Sequence, residues 1–77
     1  MVALNRFYCA AVVQSRITVE GKEYDTYGIE VKSEEGYAVV HDISVDRDEV
    51  EMLCRRIRRG RLAPCHLQSV AEDFVDR

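Results

Sequence analysis

Seventy-seven residues suffice for one small domain, whose core buries only about 60% of the unfolded surface. An apolar fraction of 47% excludes wholesale disorder, and no stretch approaches the roughly 20 apolar residues of a membrane-spanning helix. The formal net charge of −3 is unevenly spread: residues 1–54 hold 5 Lys/Arg against 11 Asp/Glu, residues 55–61 hold 5 Arg and no acid, and residues 62–77 hold 1 Arg against 3 acids. An acidic body therefore carries one compact basic knot.

The start, MVALNRFYCAAVVQ, has no basic segment ahead of an apolar run and no cleavage site, so it reads as mature protein. Cys9, Cys54 and Cys65 are an odd set, which fits free thiols in a reducing compartment. The cytoplasm is the expected location.

From Arg6 to Glu20 the apolar residues alternate, with Phe7, Cys9, Ala11, Val13, Ile17 and Val19 on one face. A helical stripe through Leu4, Phe7, Tyr8 and Ala11 is the rival reading of the start; the β-branched run of Val12, Val13, Ile17, Thr18 and Val19 favours a strand. The second face, with Tyr8, Ala10 and Val12, is apolar too, and a half-exposed strand should not be. Either this strand is buried on both sides within one domain, or Tyr8, Ala10 and Val12 form a self-association face that meets a second subunit.

Glu20-Gly21-Lys22-Glu23 reads as a turn. Tyr24 to Lys32 alternates again, with Tyr27, Ile29 and Val31 on one face; Ser33-Glu34-Glu35-Gly36 is a second turn. Tyr37 to Ile43 is a third strand, with Val39, His41 and Ile43 sharing a face and Ala38 and Val40 the other. Three strands joined by short turns predict an antiparallel meander.

Asp46 is an N-cap residue with Glu49 three positions on, and Ser44 competes for the cap. Val50, Leu53, Cys54 and Ile57 follow at helical spacing, with acids in the first turns and arginines in the last, as the helix dipole favours. Gly60 stands where a left-handed C-terminal cap is expected. Leu62-Ala63-Pro64 is the link, and Pro64 suits the first turn of a second helix carrying Leu67, Val70, Ala71 and Phe74 on one stripe. Neither helix is long enough to be stable alone, and the meander offers the apolar face that both need. The expected fold is a single α+β domain over residues 1–77, in the order β-β-β-α-α.

Four short patterns in this order, Tyr27-Gly28-Ile29-Glu30, Asp42-Ile43-Ser44, Pro64-Cys65-His66-Leu67 and Glu72-Asp73-Phe74, resemble a family of short Firmicutes proteins classed as a domain of unknown function. The resemblance runs from about Tyr24 to the C-terminus. It implies a small bacterial cytoplasmic protein of the strand-then-helix kind, and it brings no activity, cofactor or site residue. The arginine knot lies outside the shared patterns.

Two chemistries can be weighed on the residues. Cys54, Cys65, His66 and His41 are the right types for zinc, but no C-x₂-C pair makes that reading strong, and no metal or cofactor is expected. Cys65 with His66 or His41 is the corresponding nucleophile–base pair; neighbours on a helix do not face each other, and no enzymatic activity is expected. The strongest chemical signal is Arg55, Arg56, Arg58, Arg59 and Arg61. It is either a phosphate- or acid-contacting patch or a solvated helix end. The expectation is a non-catalytic protein that binds another macromolecule and itself, with nucleic-acid binding through the arginines as the alternative.

Overall fold

The computed structural model describes residues 7–76; Leu4 and Arg6, which enter the rival readings of the start, lie outside them. Three antiparallel strands, β1 (Tyr8–Val19), β2 (Lys22–Ser33) and β3 (Gly36–Ser44), lie in the order β1-β2-β3. Helix α1 (Arg47–Gly60), a 3-10 turn (Pro64–His66) and helix α2 (Leu67–Val75) follow. This is the α+β order that the patterning predicts, with the second helix entered through a short 3-10 segment.

The β1–β2 hairpin is tight. Val19 pairs with Lys22, leaving Glu20 and Gly21 as a two-residue loop with φ of 51° and 81°. Positive φ at both central positions gives the turn the right-handed twist that a hairpin needs, and glycine adopts it without strain. β2 pairs with β3 only from Tyr27 to Ser33, so the hairpin beyond Thr26 is a two-stranded arm. That arm makes the protein elongated, at 57 × 22 × 19 Å.

Asp46 caps α1 as the sequence predicts. Its carboxylate accepts from the Asp48 N–H at 3.0 Å and the Glu49 N–H at 3.4 Å, while Ser44 Oγ accepts from the Asp46 N–H. At the other end the expectation fails by one residue: Gly60 is still helical, and Arg61 is the left-handed cap (φ 50°, ψ 51°). Its N–H and that of Leu62 satisfy carbonyls of the last turn. Tyr8 explains why a non-glycine residue is held there. Its hydroxyl donates to Leu62 O at 2.8 Å and Ile57 O at 3.3 Å, and the Arg61 guanidinium lies 5.6 Å from its ring centre.

The helices cover one face of the sheet. Val50, Leu53, Cys54 and Ile57 of α1 and Leu67 and Ala71 of α2 bury against Ala10, Ile29, Val31 and Ile43, and each large side chain contributes roughly 1.5–3 kcal/mol of transfer free energy. The covered face of β1 is the one with Tyr8, Ala10 and Val12: Ala10 is 3% exposed, and the other two pack against the core. The assignment of these residues to a self-association face is thus corrected. They lie under the chain's own helices, because Tyr8 must reach the end of α1. The face with Cys9, Ala11 and Val13 is the one that neither helix covers.

β3 also departs from the expected alternation. Val40 pairs with Ile29 and Ser44 with Tyr27, so three β3 residues stand against Gly28 alone. Within this bulge Ile43 turns into the core with Val40, instead of sharing a face with Val39. Gly28 is required here: a Cβ would lie 2.0 Å from Val40 O and 2.8 Å from His41 Cα.

Candidate interaction surface

The five arginines of the knot sit on the last turns of α1 and its cap, and the structure divides them. Arg58 bends back to the sheet, where its Nη2 donates to Ala10 O at 2.7 Å and lies 3.7 Å from Cys54 Sγ. Arg61 is the cap and stacks on Tyr8. Arg55, Arg56 and Arg59 are exposed and form no ion pair with another described residue. Arg55 shares a groove between α1 and β1 with Arg47, Glu51, Arg58 and Val12. Glu51 is bound to Arg47 at 3.1 Å, so Arg55 and Arg58 leave this groove positive. Arg56 borders the crevice between the two helices, beside Met52 and Phe74.

The groove opens onto the free edge of β1. This strand runs for twelve residues without a bulge, and among the described residues its outer side has no partner strand. Arg58 occupies one edge carbonyl, that of Ala10. β3, the opposite edge, is interrupted by its bulge.

The uncovered face carries half-buried Ala11, Val13, Ile17 and Val39 with exposed Cys9 and Tyr37. Charges rim it: Tyr37 donates to Glu30 at 2.7 Å, and Lys32 Nζ sits 5.9 Å from the Tyr37 ring centre. The bond to the carboxylate holds the Tyr37 phenol above its usual pKa. Where β3 crosses Gly28, His41 Nδ1 lies 3.3 Å from Ser15 Oγ, and beside Ser15 the fully buried Thr26 hydroxyl has no hydrogen-bond partner among the described residues. Sequence reasoning missed this cluster. Its one legible signal was a lone glycine inside a strand pattern, which marks a bulge or a close backbone approach.

The other candidates do not converge. Cys54 is buried on the inner side of α1, where desolvation raises its thiol pKa despite the neighbouring Arg58. Cys65 and His66 are exposed in the 3-10 turn, and His41 is on the bulge. Among the described residues no group of three or more His, Cys, Asp or Glu side chains is placed to hold a metal ion, and no helix is long and apolar enough to cross a membrane.

A model of the family of unknown function DUF6514 matches residues 5–77. The chain belongs to this family. The match takes in all three strands and both helices, and so extends upstream of the patterns that carried the resemblance, through β1. No curated protein and no solved structure matches the chain.

Proposed function

We propose that this protein is a non-catalytic macromolecular-interaction protein of the bacterial cytoplasm, and that it associates with itself. The observation that carries the reading is the one-sided cover of the sheet. Both helices pack on the Tyr8–Ala10–Val12 face, while the opposite face carries neither helix and keeps Ala11, Val13, Ile17 and Val39 only half-buried, and among the described residues no strand pairs with the outer edge of β1. A small domain with a thin core gains stability by burying such a surface against a second copy. The three free thiols support a reducing compartment. Sedimentation equilibrium at tens of micromolar is the test: a mass above that of one chain is expected, and a single-chain mass across the range sinks the self-association half of the reading.

A second reading, a nucleic-acid-binding regulator, is favoured by one observation: Arg55, Arg56 and Arg59 are exposed in the C-terminal half of α1 and form no ion pair with another described residue. It predicts binding to random RNA or DNA that weakens steeply with salt, and that is lost when Arg55, Arg56 and Arg59 are reversed to Glu. No shift at low salt rejects it.

A further inference from the structure

Resting on the reading that the chain self-associates, we propose that two copies pair antiparallel through the free edges of their β1 strands, joining the two sheets and seating the hairpin tip of each copy beside the arginine groove of the other. Along a strand, backbone groups point alternately to either side. Arg58 takes Ala10 O on the outer side of β1, so Val12, Gln14, Arg16 and Thr18 present their N–H and C=O outward as well. This stretch holds no proline, glycine or bulge, and its β-branched residues fit a ladder. Its one charged residue, Arg16, is held on its own hairpin by Asp25 at 3.2 Å and Glu23 at 3.4 Å.

The arm has a physical reason to pair. Beyond Thr26 it is two-stranded, and a two-stranded ribbon is marginal in water. Pairing two β1 edges makes it four-stranded. A two-fold axis at Ser15 sets Val12 opposite Thr18 of the second copy, Val13 opposite Ile17, and Gln14 opposite Arg16. Each of these pairs matches two outward-facing or two inward-facing residues, as an antiparallel ladder requires. Continuing the same count sets Ala10 opposite Glu20 of the second copy. Glu20 is the first residue of the hairpin turn, and Ala10 is where Arg58 reaches the edge with Arg55 in the groove behind it. The acid at one end of β1 therefore meets the arginines at the other, twice per dimer. The arrangement is closed, because the remaining edge, β3, is broken by its bulge.

The test follows dimerisation of the full chain by sedimentation equilibrium. Gln14→Pro removes an outward N–H and leaves the β1–β2 ladder intact; it is expected to give monomers. Arg55→Glu and Glu20→Arg are each expected to weaken the dimer about tenfold, and the double variant to recover it. Should Gln14→Pro fail to fold, cross-linking decides. With Cys9 and Cys65 replaced by Ser, Ser15→Cys should form an intermolecular disulfide, since facing residues of a non-hydrogen-bonded pair lie about 4.5 Å apart at Cα. Thr18→Cys should not. A wild-type dimer indifferent to the charge reversals, with no Ser15→Cys cross-link, overturns the edge pairing and leaves self-association through the uncovered face. A wild-type monomer overturns both.

Discussion

At Val40 the outer strand β3 leaves the ladder. Three of its residues stand against Gly28 alone, and Asp42 takes a φ of 58° before pairing resumes at Ser44. β1, at the opposite edge, keeps one register with β2 for twelve residues and, among the described residues, meets one guard, the Arg58 guanidinium on Ala10 O. Both strands face the same hazard, a row of backbone groups open to another chain. β3 meets it with backbone geometry. β1 meets it with one side chain near its start and leaves the rest open. One small sheet thus has an interrupted edge and a regular edge, and the proposed pairing uses the regular one.

The comparison is broken most severely at Gly28. Gly28→Ala places a methyl group 2.0 Å from Val40 O, which is backbone and cannot rotate away. The bulge has to shift, carrying Ile43 out of the core. The expected loss is about 3 kcal/mol or more, read by urea denaturation. A loss under about 1 kcal/mol in that titration means that β3 can leave Gly28 at little cost and that its edge is not closed by geometry.

That glycine also shows where the sequence was legible. The order of the elements, the Asp46 cap and the helical stripes were all readable, because each depends on local spacing and capping chemistry. The inward face of β1 was not. FYCAAVV is apolar on both sides, and the choice is made by Tyr8 reaching Ile57 and Leu62, about fifty residues away. The bulge was missed for a related reason: alternation assumes a regular pleat, and the close approach of Val40 to Gly28 exists only once β3 has docked. The arginines read as one knot because they are neighbours in sequence. Their division into two that hold the fold and three that face solvent depends on which side of α1 meets β1.

The guard on β1 is the next point of attack. Arg58→Met keeps most of the stem and removes the bond to Ala10 O, whereas Arg59→Met removes a charge with no ion-pair partner among the described residues. A charge-assisted hydrogen bond at a partly exposed site is worth about 1 kcal/mol, and a plain surface change stays within about 0.5 kcal/mol. Denaturant midpoints of the two variants should differ in that order. Equal midpoints mean that Arg58 is as idle as Arg59, and β1 then has no guard at all.

The smallest effect expected is a pH dependence at the seam between α1 and the β1 edge. Cys54 lies there with 1% exposure. Burial raises its thiol pKa above the ordinary 9.0, the Arg58 charge pulls it back, and Cys9 and Glu51 push it up further. Below pH 9 the thiol is neutral folded or unfolded, and its contribution to stability is complete. As pH rises past the ordinary value the unfolded chain releases the proton while the folded chain keeps it, so unfolding gains ground until the folded thiol also ionises. Stability measured between about pH 8 and about pH 10 should therefore fall less in Cys54→Val than in the wild type. Removing Arg58 should steepen the wild-type fall, because the one charge favouring the thiolate goes with it. Parallel curves for wild type and Cys54→Val assign the fall to other groups, Tyr8 foremost, whose phenol burial also raises.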